Sequence, residues 1–363
     1  ALLEDDHPII RWLLHGFHPP PQITFSGACP AAAGRLVWIA TEPRPLPAEP
    51  ASMSRETPWH GHCRLQFIND RGVTRHQGGC RAPFKLLRSY TGADGRCELP
   101  LLHTAGGLVG GDQLSIDVAL ASGSRSLITS VAAQKVYGSV GRSHLHPEGA
   151  WSRQTATMQL EEHSDLEWMP QELVLYADAL FEQHLTVTLP ENASFLTAEI
   201  VRLGRTAAGE TLNQGRWRSH LSVQRMGSTG PRWEQVDRLE IGVDNLQSNH
   251  GLAGAPVFGS LVWAAPSGLD PGSIANLLEG ARLDRTGLSG TMRCTRLDQG
   301  VLARYAGSSS RDARFWFSRI WARTRILRGL SGPDIPRVWP LQEDPLAKQA
   351  FTTNALATAT ATH

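Results

Sequence analysis

The sequence has no apolar run long enough to span a bilayer, which excludes a helical membrane protein. It has no charge surplus. Lys+Arg 35 against Asp+Glu 34 leaves a formal net charge of +1, so there is no general field to attract nucleic acid or an anionic membrane. Cysteine is sparse, odd in number and scattered (Cys29, Cys63, Cys80, Cys97, Cys294). That argues against a disulfide framework and fits a reducing cytoplasm. No basic segment leading into an apolar one opens the chain, which speaks against a secretory signal. Nucleophile signatures are also missing. No G-x-S-x-G elbow occurs, since Gly138-Ser139-Val140-Gly141 has the wrong order. No cysteine stands beside a helix start with a basic partner.

What is present is enough apolar material for a large core, 41% of 363 residues, in one large or two ordinary domains. The most distinctive segment is Leu101-Leu102-His103-Thr104-Ala105-Gly106-Gly107-Leu108-Val109-Gly110-Gly111-Asp112. Its glycine pairs permit positive φ and close backbone approach. The carboxylate that follows can bond the turn's own N–H groups or present an anion at a fixed point. A phosphate loop needs Lys and Ser/Thr after its last glycine. Asp112 and Gln113 stand there instead, which argues against nucleotide binding.

Residues 1–55 are punctuated by proline and keep no steady apolar period, although residues 36–39 could form a short strand. They read as a mobile or non-native extension, with Met53 a candidate true start. Residues 56–345 read as one β domain and residues 346–363 as a disordered tail. Three passages share one design: 114–120 then 126–130, 156–160 then 166–169, and 185–189 then 194–200. Each is an alternating strand, a tight polar turn and a second strand. The predicted fold is therefore mainly β, in stacked, helix-like layers of strands over one continuous core. About two helices follow in the C-terminal part. One is capped by Ser273, with Ile274, Leu277, Leu278 and Ala281 on one face. The other covers 311–328, with Ala313, Trp316, Phe317, Ile320, Thr324 and Leu327 as an apolar stripe, and Gly329 stops it. Its arginines read as a solvated basic face or a dock for an acidic partner.

Metal-ligand types are present, but their spacing is poor. His60, His62 and Cys63, with His76 and Cys80 downstream, lack the usual paired knuckles, and an extended strand sends Cys63 to the face opposite His60 and His62. His144 and His146 are a similar same-face pair in a loop. His163, His184 and His220 stand alone in the sequence and read as surface or internally satisfied histidines. Asp112, Glu167, Glu199, Glu210 and Glu234 have no local partner. Carboxylates on the inward faces of stacked strands could line a polar path that holds a divalent ion weakly.

Five segments in register resemble the urease accessory protein D family (UreD, also UreH). They are Leu102 to Asp112, with His103, Gly106, Gly107, Gly110 and Gly111; Leu127-Ile128-Thr129 with Ala132-Ala133-Gln134-Lys135-Val136-Tyr137; Leu166-Glu167-Trp168-Met169-Pro170-Gln171-Glu172; Leu203-Gly204-Arg205-Thr206-Ala207-Ala208-Gly209-Glu210; and Pro336-Arg337-Val338-Trp339. Three positions depart from the family pattern: Thr104-Ala105, Gly138 and Ala198. The resemblance implies a cytoplasmic, non-enzymatic chaperone for nickel insertion. It would bind apo-urease and UreF, and through UreF the nickel-carrying GTPase UreG, with neither nucleic acid nor membrane as partner. It implies no tightly bound cofactor, nickel passing transiently. Carried over by position, Asp112, Glu199 and Glu234 are the candidate channel carboxylates; turn bonding and surface solvation are their bland alternatives. Two other readings remain open. One is a docking adaptor without a channel. The other is a β-solenoid enzyme acting on carbohydrate, for which no set of catalytic acids can be placed.

Overall fold

The computed structural model describes residues 59–347. The expectations for 1–55, including residues 36–39 and Met53, lie outside these residues, as does nearly all of the predicted tail. The described chain runs β1 (His60–Asp70), β2 (Val73–Cys80), β3 (Phe84–Leu86), β4 (Tyr90–Thr91), β5 (Cys97–His103), β6 (Gln113–Leu120), β7 (Arg125–Val131), β8 (Gln134–Val136), β9 (Ser152–Leu160), β10 (Asp165–Met169), β11 (Leu173–Leu175), β12 (Leu180–Pro190), β13 (Ser194–Leu203), β14 (Arg216–Gly227) and β15 (Gly230–Ile241). A short α1 (Val243–Gln247) leads to β16 (Val257–Ala264), α2 (Pro271–Leu283), β17 (Thr291–Leu297), β18 (Gly300–Gly307) and α3 (Ser310–Leu327). None of these helices is long and apolar enough to cross a membrane.

The three repeated passages are β6–β7, β9–β10 and β12–β13. They do not close as hairpins. The strand entering each turn lies in one sheet and the strand leaving it lies in the other. The first sheet has the order β15-β14-β12-β9-β6-β1-β2, and its run from β14 to β1 is parallel. The second has the order β17-β18-β16-β13-β10-β7-β5-β3, parallel from β13 to β5 and antiparallel beyond. The turns stack as well. Asp165 N–H donates to Ser124 O, and Ser194 N–H to Ser164 O, both at 2.9 Å. Ser124 and Ser164 occupy equivalent places, each Oγ closing its own turn at 2.6 Å onto Ala121 O or Glu161 O. This is the stacked, helix-like β architecture that the alternation predicts.

Two apolar cores follow from the period-2 alternation. Leu166, Trp168, Phe195 and Val201 point between the sheets, toward Ile116, Met158, Phe181 and Val187. Their neighbours Met169, Leu196, Ala198 and Ile200 point the other way, toward α2 and α3. The molecule is thus three layers: sheet, sheet, helices.

Helix α2 carries the expected buried face of Ile274, Leu277, Leu278 and Ala281. Its cap is Asp270, not Ser273. Asp270 Oδ2 accepts from Ser273 N–H at 2.8 Å, and Pro271 fills the first helical position, where a missing N–H costs nothing. Helix α3 is capped by Ser309 and followed by Gly329 at φ 72°. The expected solvated or partner-docking basic face is overturned. Arg314, Arg319 and Arg325 are buried, because carboxylates and carbonyls of β10 and the loop after it, of the end of α2 and of the C-terminal segment meet them. Arg325 donates from Nε and Nη2 to the two Glu167 oxygens, at 2.8 and 2.5 Å. Arg328 reaches Asp165 at 2.8 Å, and Arg323 holds Asp284 through both oxygens. Arg96, at 0% exposure, donates to Asp165 at 2.6 Å and lies 3.4 Å from Glu167. Burial alone would raise the Asp165 and Glu167 carboxyls. The adjacent Arg328 and Arg96 outweigh it for Asp165, and Arg96 and Arg325 for Glu167, so both are held below the usual range.

Removing one member of such a pair strands a buried charge and costs about 3–5 kcal/mol. Arg325→Met should therefore lower the denaturation midpoint sharply, whereas Glu167→Leu/Arg325→Met together should recover much of the loss. Both carboxyls are depressed, so their stabilisation is complete above their unfolded values of 3.8 and 4.5 and is lost as pH falls below them. The wild type should therefore lose stability more steeply on acidification than the double variant, read by denaturant melts across pH.

Candidate functional site

The same alternation that sends Glu167 to the helices sends Trp168 and Glu199 between the sheets. There a cavity of about 230 Å³ is lined by His103, Gln134, Trp168, Pro170, Gln171, Gln183 and Glu199, among others. A smaller one of about 80 Å³ adds Ser219, Asp237 and Ser260, and is bordered also by His184 and His220. Gln154, Trp168, Pro170, Gln183 and Glu199 line both, so Glu199 stands where the two adjoin.

Glu199 accepts a hydrogen bond from Gln183 Nε2, and another from Ser219 Oγ at 3.5 Å. Its residual exposure is to the cavities it lines. Burial, reinforced by Asp237, pushes its carboxyl up to about 8, against the weaker pull of Arg304. Asp237 pairs with Arg304, leaving Asp237 Oδ1 and Arg304 Nε with no hydrogen-bond partner among the described residues. Buried groups of this kind need water or an ion. The sandwich therefore contains a largely apolar pocket with a polar cluster at Glu199, whose carboxyl is raised toward neutrality.

Of the three candidate channel carboxylates, only Glu199 lines these cavities. Asp112 closes its own turn, accepting from Val109 N–H at 2.9 Å. It also stands near enough to His103 to oppose the burial that lowers that imidazole's pKa. His103 lines the large cavity, and its Nε2 has no hydrogen-bond partner among the described residues. Glu234 is buried elsewhere, on β15. Arg225 at 2.9 Å, Arg232 at 3.1 Å and Gln299 N–H at 2.7 Å saturate it. It is an internal ion-pair member, not a surface group.

The shared-motif residues divide by role. In the glycine segment Gly106 and Gly111 adopt φ 75° and 95°. Gly107 and Gly110 instead permit close approach, since a Cβ would come 2.6 Å from the Tyr137 ring at the first and 2.2 Å from Ser139 Oγ at the second. Lys135 flanks the cavity, and its carbonyl accepts from Leu108 N–H at 2.8 Å. Gln171 N–H donates to Ser130 Oγ at 2.8 Å. Gly204, at φ 91°, packs against Glu210 O, and Gly209 ends the short 3₁₀ turn Thr206–Ala208. Glu210 pairs with Arg205, which lies over the Tyr176 ring beside Tyr137. Trp339 Nε1 donates to Thr129 Oγ1 at 2.7 Å, and Arg337 covers Tyr90. Thus Glu167, Glu210 and Glu234 are all paired, Glu167 by the distant Arg325 but Glu210 by Arg205 and Glu234 by Arg232 and Arg225, so the expectation of no local partner fails for the last two. At Gly138 a Cβ would meet Ala177 O at 2.4 Å, and the Arg142 guanidinium sits beside that place.

The isolated reading of His184 and His220 is overturned. Strands β12 and β14 are parallel neighbours that put His184 directly beside His220. The rings meet edge-on at 4.4 Å, and His184 Nε2 lies 3.0 Å from Glu182 Oε1. The register of strands distant in sequence creates this cluster. The His60–Cys80 set gives no such cluster. His60 turns to Ser115 and His62 to Asp117, while Cys63 is buried opposite Cys80.

The raised Glu199 carboxyl has a testable sign. Between its unfolded value of 4.5 and its folded value of about 8, the folded chain holds a proton that the unfolded chain has released, so stability falls as pH rises. Glu199→Gln should therefore be more stable than wild type above pH 8 and lose that advantage below pH 4.5, as measured by thermal melts over that range.

Comparison with known proteins agrees with the motifs. The sequence profile described as UreD urease accessory protein matches residues 60–340. The protein named urease accessory protein UreD of Parasynechococcus marenigrum (strain WH8102) is 73% identical over 306 residues, covering 84% of this chain and 98% of the relative. Its namesake in Synechococcus sp. (strain CC9605) is 67% identical over 311 residues, covering 86% of this chain and 100% of the relative. That of Prochlorococcus marinus (strain MIT 9303) is 56% identical over 299 residues, with 80% and 100% covered. The chain belongs to the UreD family of urease accessory proteins.

Proposed function

We propose that this chain is a maturation scaffold for urease that passes nickel through its inter-sheet cavities. Family membership supports a role in urease maturation. The single observation that supports a path is Glu199, a carboxyl shared by two adjoining cavities and surrounded by the polar side chains of Gln183, Ser219 and Asp237. Oxygen donors bind a borderline ion such as Ni²⁺ less tightly than imidazole or thiolate, so the ion can leave again. A carboxyl protonated near neutrality adds control, because the arriving cation displaces a proton and the departing one lets it return. No resident cofactor is required, and the chain itself turns over no substrate. In this reading the partners are apo-urease and UreF, with UreG reached through UreF, and the cytoplasm is the setting.

Asp112 closes the glycine turn close to His103, which lines the large cavity, while Glu234 holds β15 in place. The three carboxylates therefore separate in a test. With the urease genes and the other accessory genes co-expressed, Glu199→Gln should cut urease activity and nickel content about tenfold or more, the order typical of losing one positioned polar group at a metal site. Complex assembly should be unchanged by pull-down. Glu234→Gln should instead lower the amount of soluble protein. Normal nickel loading of urease with Glu199→Gln in an intact complex would leave the docking adaptor as the better account.

A further inference from the structure

We infer that Glu182, His184 and His220 form a second, outward-facing site for a divalent first-row transition ion, on the opposite face of the first sheet from Glu199. The inference rests on side-chain geometry alone and stands whether or not the inter-sheet path is used.

Alternation fixes the direction. On β12, Phe181 and Val187 pack into the inter-sheet core and Gln183 meets Glu199, so Glu182 and His184 point outward. On β14, Trp217 and Val223 pack inward and Ser219 meets Glu199, so His220 points outward. One ligand atom from each of the three residues lies within 4.8 Å of the others, the one such grouping among the described residues. Bound Zn²⁺ keeps imidazole nitrogens at about 2.0–2.1 Å, and small rotamer changes bring three atoms already this close onto one ion. The backbone spacing is fixed by hydrogen-bonded parallel strands, so the site is largely formed in advance.

The donor set selects the ion. Two imidazoles and one carboxylate favour Zn²⁺, Ni²⁺ or Cu²⁺ over Mg²⁺ or Ca²⁺, which take oxygen ligands. The carboxylate is oriented from outside the cluster. Arg153 Nε donates to Glu182 Oε2 at 3.0 Å, leaving Oε1 toward His184. Such support from a neighbouring hydrogen bond is the usual companion of a ligating group. Arg218 donates to both oxygens of Glu240, at 3.0 and 3.5 Å, and Arg238 lies opposite His220 on β15. These guanidiniums reduce the attraction for a bare cation, so coordination by the imidazoles, not general negative field, has to provide the affinity. A recess of about 540 Å³ lined by Glu182, His220, Asn245 and His250 gives solvent access. Three protein ligands leave coordination positions free for water or for a ligand from another protein, which makes the ion exchangeable.

The competing description is a surface ion pair, Glu182–His184, with His220 packed on its ring. Equilibrium dialysis of the full chain against Ni²⁺ alone, then Zn²⁺ alone, with bound metal counted by atomic emission, separates the two. The wild type should hold one ion per chain more than His184→Ala/His220→Ala, and the same difference of one ion should persist when both are compared in a Glu199→Gln background. Equal metal content in wild type and the double variant would overturn the site. Nuclear magnetic resonance of histidine-labelled wild type needs no variant. Ni²⁺ should broaden the His184 and His220 imidazole signals first, and their persistence while other histidines broaden would also overturn it. Loss of the ion together with normal urease activation would uphold the site and detach it from the inter-sheet path.

Discussion

The structure depends on one buried electrostatic cluster, Arg96, Arg325 and Arg328 against Asp165 and Glu167. Two carboxylates on β10, in the middle of a parallel sheet, would be untenable in an apolar core if left alone. Three guanidiniums meet them, one from the strand region before β5 and two from the end of α3. The cluster thereby ties the helix layer to the centre of the second sheet through residues more than 150 positions apart for Arg325 and Glu167. Arginine suits this task because its planar fork bonds both carboxylate oxygens and stays charged when buried. The sequence follows that preference throughout. Lys85, Lys135 and Lys348 are its lysines, and the rest of the 35 basic residues are arginine.

Strand alternation then turns this anchorage into a site. Glu167 faces the helices while its neighbour Trp168 faces the cavity, and Ala198 packs under α3 while its neighbour Glu199 enters the space between the sheets. Register is therefore functional as well as structural. A slip of one residue would place Glu199 among the apolar side chains of the helix layer and remove the polar cluster from the pocket. The ion pairs at Glu167 and Asp165 specify against such a slip, because each carboxylate reaches its guanidiniums from one face only.

Much of the architecture was legible because it is written locally. The alternation at 114–120, 156–160 and 185–189 announced half-buried strands, and the polar turns between them announced stacking. Gly329 ended α3 as read. The failures share one cause. The α3 arginines look like a solvated face because their partners, Glu167, Asp165 and Glu172, lie far upstream. His184 and His220 look isolated because parallel pairing of β12 with β14 joins residues 36 apart. Glu234 looks like a surface acid although Arg232 and Arg225 stand close by in sequence, because only the β14–β15 hairpin register turns both onto it. Non-local pairing is where a one-dimensional reading loses charge partners. The Asp270 cap was a nearer miss: Pro271 at the first helical position marked the preceding residue as the cap.

The central claim is that the space between the sheets, at Glu199, accepts nickel. Crystals of the chain or its complex soaked in Ni²⁺ and measured across the nickel absorption edge test it directly. The account predicts anomalous density between the two sheets, beside Glu199 and within reach of Gln183 and Asp237. Anomalous density confined to the outer surface, with none between the sheets at full soaking, would contradict it.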